Sequence, residues 1–143
     1  MTSTKDAADR HLKAFNDKNL QEFVGNESAD IEFVVPGGIT LHGRDQVSEY
    51  VKLIWSAFPD MQIVATHQVI AGDTAVTEST YSGTHTGTFR TPGGDIPATE
   101  KRVQGKQVAV QRTKDGQICS EHLYYDQMEF MTALGLIPNP SHT

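Results

Sequence analysis

One cysteine, Cys119, stands among 143 residues, so no disulfide can form within the chain and stability has to come from a packed core. Long apolar runs are missing as well. The cleanest stretches are three residues, such as Phe33-Val34-Val35, where a bilayer span needs about 18 to 20. Basic residues are scarce: 12 Lys and Arg against 18 Asp and Glu give a formal charge of −6, which leaves no cationic footprint for a phosphate backbone or an anionic lipid surface. Neither a nucleic-acid partner nor a membrane is expected. The opening residues lack the apolar centre of a secretory signal, and together with the single thiol this points to a reducing cytoplasm.

Several chemistries lack their motifs. His11, His42, His67, His85, His122 and His142 show neither H-x-H nor H-x-x-x-H spacing and have no Cys partner, so no metal site is announced. Gly37-Gly38 and Gly93-Gly94 are not followed by the Lys-Ser/Thr of a phosphate loop, and no Gly-x-Ser-x-Gly elbow occurs. Cys119, between Ile118 and Ser120, reads as a small buried hydrophobe rather than a nucleophile. No cofactor is implied.

What is present is a chain with 37% hydrophobic residues and no repeat or charge block, which reads as one domain over residues 1–143 with loose tips at 1–4 and 138–143. Leu12, Phe15, Leu20, Phe23 and Val24 recur at helical spacing, predicting a helix from about Asp6 to Gly25, broken near Asn16 to Asn19. Asp30 to Val35 reads as a strand, with Ile39 to Leu41 as its short hairpin partner. Val47, Tyr50, Val51, Ile54 and Phe58 predict a second helix, stopped by Pro59. The period then changes to two: Met61 to Ile70, Thr74 to Thr88, Lys101 to Thr113 and Ile118 to Tyr125 read as four long antiparallel strands, with a loop at Thr91 to Pro97 and a short helix over Gln127 to Leu134. The fold class is therefore α+β: a strongly curved, cone-shaped antiparallel sheet covered by the N-terminal helices, with a small-molecule pocket at its mouth.

Asp115-Gly116 is a two-residue type I′ turn signal, and with that turn opposed residues sum to 231. One face of the last hairpin then carries Val108, Val110, Cys119, Leu123 and Tyr125, with an Arg112/Glu121 diagonal. Its mate carries Gln107, Ala109, Gln111, Ser120, His122 and Tyr124, and Asp126 at the strand end. This second face is polar yet nearly uncharged, which suits a partly wet cavity. The apolar face suits a second sheet or a dimer contact.

Ala57-Phe58-Pro59-Asp60 after an amphipathic helix, Ser82-Gly83-Thr84-His85-Thr86-Gly87, Ile96-Pro97-Ala98-Thr99, Asp115-Gly116-Gln117-Ile118, and Asp126 nine residues before Gly135 occur together and in this order. Over residues 7–137 they resemble the SnoaL-like polyketide cyclases of the nuclear-transport-factor-2-like (ketosteroid-isomerase-like, cystatin-like α+β barrel) superfamily. The resemblance implies a cone-shaped fold, a homodimer through the convex face of the sheet and a cofactor-free pocket. It also implies an intramolecular aldol closure of a polycyclic or aromatic carbonyl compound, an ester cyclase chemistry using an aspartate at the end of the last long strand. The matching residue is Asp126. Glu100 and Leu123 depart from the family pattern, where Gly and Trp are common.

Such chemistry needs a base, a donor for the developing alkoxide and the exclusion of water. Asp126 is the candidate acid and base, with His122 as second catalytic group and Tyr124, Gln107 and Gln111 beside it. Asp126 has a rival role as the N-cap of the final helix. His85 is a further binding candidate, with a structural hydrogen bond to a neighbouring strand or loop as its alternative. Phe15, Tyr50, Trp55 and Phe58 would form apolar walls or plain core. Two other functions stay open on the same fold: double-bond isomerisation of the ketosteroid-isomerase kind, and a non-catalytic binding or dimerisation module.

Overall fold

The computed structural model describes residues 3–91 and 93–138. The first helical segment splits where expected. Helix α1 (Thr4–Asn16) starts at Ser3, whose side chain accepts from the Asp6 N–H, and α2 (Leu20–Gly25) starts at Asn19, whose side chain accepts from the Glu22 N–H. Between them Lys18 takes a positive φ of 57°. Ser3 and Thr4, expected in a loose tip, thus cap and open α1, while residues 1–2 and 139–143, with His142, lie outside the described residues.

Strand β1 (Glu27–Val35) pairs antiparallel with β2 (Ile39–His42), and α3 (Gly43–Ala57) follows. At the Pro59-Asp60 corner the Asp60 Oδ1 accepts the Thr84 N–H at 2.7 Å, tying the corner to the end of a sheet strand. Strands β3 (Gln62–Ala71), β4 (Thr74–Thr84), β7 (Arg102–Lys114) and β8 (Gln117–Tyr125) form the expected antiparallel meander. The segment read as a plain loop holds a small hairpin, β5 (Phe89–Thr91) with β6 (Gly94–Ile96); Pro92 lies outside the described residues. Helix α4 (Gln127–Ala133) closes the described chain.

The six-stranded sheet has the order β2-β1-β8-β7-β4-β3. One junction departs from the all-antiparallel expectation: β1 runs parallel to β8, so the sheet is mixed. The first strand returns to the sheet beside the last, and the helices between them lie over one face. Burial follows the period of two. On β4 the side chains of Ala75, Thr77, Ser79 and Tyr81 are buried against the helices while Glu78 is exposed. The core is closed by Phe15 and Phe23 from the first two helices, Val47, Val51 and Phe58 from α3 and its end, Ile31 and Phe33 from β1, and Phe130 from α4.

The turn at Asp115-Gly116 is as expected, both residues having positive φ (54° and 79°). Lys114 faces Gln117 and Thr113 faces Ile118, so the sum of 231 holds at the turn. It then fails. Arg112 pairs with Ser120, which makes Cys119 an extra residue, and every later pair sums to 232: Gln111 with Glu121, Val110 with His122, Ala109 with Leu123, Val108 with Tyr124 and Gln107 with Tyr125. A β-bulge of one residue moves all side chains beyond it to the opposite face. The expected faces of β7 stand, and those of β8 beyond Cys119 are exchanged. Glu121, Leu123 and Tyr125 join Gln107, Ala109 and Gln111 under the helices, whereas His122 and Tyr124 turn away from them.

Candidate active site

A cavity of about 130 Å³ lies between the inner face of the sheet and the helices. Its walls are mostly aromatic: Phe15, Phe23, Phe33, Tyr50, Phe58 and Phe130 among them. The sheet supplies a polar floor of Thr77, Ser79, Gln107, Gln111 and Glu121, with His11 from α1 above it. Asp9 of α1 and Gln68 of β3 line the cavity as well. There Gln68 Nε2 donates to Asp9 Oδ1 at 3.2 Å, and Lys5 Nζ donates to both Asp9 Oδ2 (2.7 Å) and Gln68 Oε1 (3.0 Å).

Four buried polar side chains form a chain beside the cavity. His11 Nε2 and Glu27 Oε2 are hydrogen-bonded at 2.8 Å. Gln111 Nε2 donates one hydrogen to His11 Nδ1 (3.3 Å) and the other to Glu121 Oε1 (2.6 Å). All four residues are buried, Glu27 completely. The His11 ring stacks on Phe23 with centroids 3.9 Å apart, which fixes its plane. Glu27 and Glu121 address opposite nitrogens of one imidazole, so the group is a hydrogen-bond chain and not a convergent cage.

Burial pushes the Glu121 carboxyl above the ordinary carboxylate range, and the Glu27 charge adds to the rise; His11 and the Gln111 hydrogen bond pull it back. Phenols that remain protonated at neutral pH also line the cavity, and Tyr50 is the one that feels the Glu121 charge. Burial raises Tyr50, aided by its neighbour Tyr125 and by Glu121. It raises Tyr125 as well, and it pushes Tyr81 up to about 12 with help from Glu129. Gly105 makes room for this corner, since a Cβ there would collide with the Tyr81 hydroxyl and a Glu129 carboxylate oxygen. The cavity thus offers one proton acceptor of raised basicity, an imidazole behind it and phenolic donors, within apolar walls.

Of the residues singled out from the sequence, Phe15, Tyr50, Phe58, Gln107 and Gln111 line this cavity. Five others are placed elsewhere. Trp55 packs behind the wall against Phe15 and Phe23, with centroids at 5.6 and 6.4 Å. His85 is fully buried beside Phe58, and its Nδ1 accepts the Thr99 N–H at 3.2 Å and lies 3.0 Å from the Thr99 hydroxyl, so it ties β4 to the segment before β7. His122 and Tyr124 lie on the outer face because of the bulge at Cys119, and Tyr124 is 57% exposed. Asp126 is exposed and caps α4, its Oδ1 accepting the Glu129 N–H at 3.1 Å. That geometry is the capping role; Asp126 is not among the residues that line the cavity, although its charge reaches the phenol of Tyr81, which does.

Sequence reasoning missed His11, Glu27 and Glu121. A signal existed for His11: it shares the buried face of α1 with Ala7, Ala8, Ala14 and Phe15, so a polar side chain sits in an apolar stripe. Glu27 shares odd parity with the buried Ile31, Phe33 and Val35 of β1. Glu121 was obscured by the bulge, which no turn signal reveals.

Residues 5–134 match the family described as SnoaL-like polyketide cyclase. Among solved structures, a protein from Jannaschia sp. CCS1 assigned as a SnoaL-like polyketide cyclase superimposes with a TM-score of 0.83 at 17% identity, over 94% of this chain and 93% of that one. A Catenulispora acidiphila protein with a ketosteroid-isomerase-like fold, solved in complex with trimethylamine, gives 0.78 at 21% identity over 96% of each chain. IdmH from Streptomyces antibioticus, assigned as a polyketide cyclase, gives 0.78 at 22% identity over 92% of this chain and 98% of its own. The curated proteins include no match to the sequence. These likenesses carry the fold, and the match across nearly the whole chain carries the family: the chain belongs to the SnoaL-like polyketide cyclases.

Proposed function

We propose that this protein is a cofactor-independent acid–base enzyme that closes a ring in an aromatic carbonyl compound, with Glu121 rather than Asp126 moving the proton. The observation that carries this reading is the Glu121 carboxyl. It is only 6% exposed, lines an aromatic cavity and takes a hydrogen bond from the neutral amide of Gln111. Desolvation that raises its proton affinity makes it a stronger base than a carboxylate in water.

In this mechanism the Glu121 carboxylate takes a proton from a methylene flanked by two carbonyls, leaving an enolate whose oxygen is stabilised by the phenols of the cavity. The enolate carbon forms a bond to a second carbonyl carbon of the same molecule. The π-electron pair of that carbonyl moves to its oxygen, and the Glu121 acid returns the proton to the new alkoxide. The carboxylate is regenerated, and no electron leaves the system. The reacting ring is enclosed in a cavity of about 130 Å³, close to the ~150 Å³ that holds one benzene.

A surrogate with an acidic methylene is enough for the test. Ethyl benzoylacetate, an aromatic β-keto ester, exchanges its methylene hydrogens in deuterated water, and the wild type is expected to accelerate this by about 100-fold or more, the usual contribution of a positioned base. Glu121→Gln should return the rate to that of buffer, while Asp126→Asn should not change it. Unaltered exchange in Glu121→Gln would leave a binding module without this chemistry. Isomerisation uses the same groups; a new carbinol carbon in the product spectrum of a true substrate marks cyclisation, and a shifted double bond marks isomerisation.

The same reading includes a homodimer through the outer face of the sheet, in a reducing cytoplasm that suits a lone cysteine. Val34, His122, Val110, Val76 and Val69 are neighbours in one row across five strands, flanked by the exposed Tyr124 and Val64. A second copy would cover this row. Sedimentation of the wild type as a dimer and of Tyr124→Glu as a monomer is the expected outcome; a wild-type monomer at micromolar concentration refutes it.

A further inference from the structure

Glu27 has no place in the mechanism above. It does not line the cavity, yet it is a fully buried carboxylate on β1 whose Oε1 has no hydrogen-bond partner among the described residues. Burying such a group costs several kcal/mol unless a partner repays it, and a strand that needed only packing would carry Val or Leu at this position. The nearby Arg44 guanidinium does not pair with the carboxylate; it donates to the Glu27 backbone carbonyl. Among the described residues, the side-chain hydrogen bond that Glu27 receives comes from His11 Nε2.

We propose that Glu27 is a positioning residue that fixes the direction of every hydrogen bond from His11 through Gln111 to Glu121, and so presents Glu121 to the cavity as an acceptor. The inference rests on the reading of Glu121 as the acid and base. Its logic is a count of hydrogens. An ionised carboxylate only accepts, so His11 places a hydrogen on Nε2; the Gln111 amide nitrogen, which only donates, meets Nδ1 and requires a lone pair there, the neutral ring. The second amide hydrogen of Gln111 then falls to Glu121 Oε1. In the opposite tautomer His11 Nδ1 would carry the hydrogen and Gln111 would present its oxygen. Glu121 could keep its bond to that oxygen only as the protonated acid, which cannot take a proton from carbon.

For the neutral imidazole two self-consistent networks therefore exist, and a charged acceptor at position 27 selects the one with a free base. The same arrangement is used wherever a carboxylate holds an imidazole in one tautomer for work done by the other nitrogen. The ionisable or polar groups facing the chain are His11 of α1, Tyr50 of α3, Gln111 of β7, and Glu121 and Tyr125 of β8. A substitution at 27 is thus transmitted through His11 and does not remove a contact to the guest.

The experiment is carried out on the full chain. Nitrogen-15 spectra of His11 in the wild type should show a protonated Nε2 and an unprotonated Nδ1. Glu27→Gln is nearly isosteric and can donate as well as accept, so it should give a mixture of tautomers. Exchange of ethyl benzoylacetate should fall about tenfold or more in this variant, as for other supports of a working imidazole, with the affinity for the ester changed less than twofold. Glu27→Asp, which keeps the charge, should retain the single tautomer and part of the rate. Hydrogen on Nδ1 in the wild type, a measurement independent of how any variant folds, overturns the proposal. So does a Glu27→Gln variant with unchanged tautomer and rate. Exchange that survives Glu121→Gln instead sinks the reading of Glu121 and leaves the tautomer result standing, so the two failures are distinguishable.

Discussion

His11 and His85 are both buried, 4% and 0% exposed, and both stack on a phenylalanine, His11 on Phe23 and His85 on Phe58. They differ in what their nitrogens meet. His85 Nδ1 takes a backbone N–H and sits beside the hydroxyl of a single residue, Thr99, and the ring is walled off by Phe58 and Phe89. His11 stands between two carboxylic acids and a carboxamide, and it lines the cavity. A histidine whose partners cannot change protonation holds a fold together. One whose partners are themselves acids can move a proton.

The largest effect that would separate the two regions is chemical. Glu121→Gln should abolish catalysed exchange, a loss of about 100-fold or more, while its thermal midpoint stays equal to the wild type or rises, because the variant no longer buries a charge. A drop in both would mean that Glu121 holds the core and that the comparison is wrong. His85→Ala is the converse and comes next in size. It opens a cavity next to Phe58 and strands the Thr99 N–H, and should cost about 2–4 kcal/mol in urea unfolding. At temperatures where it is folded, exchange should remain within a few-fold of the wild type.

Asp126→Ala is smaller still. Losing the cap of a short helix costs about 1 kcal/mol, and exchange should be unchanged within error. A large kinetic loss in this variant would restore Asp126 to the role that the family resemblance implies for it.

Most of the fold was legible because it rests on local chemistry. The helical spacing of Leu12 to Val24 with its break near Asn16 to Asn19, the helix stop at Pro59 and the hairpin turn at Asp115-Gly116 each lie within a few residues of their own signal, whereas the cap at Ser3 lay in what was expected to be a loose tip. The parallel pairing of β1 with β8 was not legible, since it joins segments almost a hundred residues apart and leaves no local pattern. The site was half legible. Phe15, Tyr50, Phe58, Gln107 and Gln111 were found because helix and strand periodicity fixes their faces. Glu121 was assigned to the wrong face because the bulge at Cys119 is a property of the paired sheet, and a single extra residue reverses everything after it. His85 attracted attention through the glycines around it, but those glycines serve packing: a Cβ on Gly87 would collide with the Ser56 carbonyl at the end of α3.

The smallest expected effect is a pair of opposed slopes in stability against pH. Burial holds His85 below the ordinary imidazole value, so its contribution is complete above about pH 6.5 and is lost as pH falls through the depressed value. Burial holds Glu121 above the ordinary carboxylate value of 4.5, so its contribution is complete below that value and is lost as pH rises through the raised one. Where the two windows overlap, acidification weakens one region and strengthens the other, and the wild type hides both. Removing either group should expose its opponent. Thermal midpoints between about pH 4.5 and 6.5 should fall more steeply on acidification in Glu121→Gln than in the wild type, and should rise on acidification in His85→Asn. Parallel curves for all three proteins would mean that neither histidine nor glutamate carries the strain of burial assigned to it, and the contrast between a structural and a proton-moving region would lose its electrostatic basis.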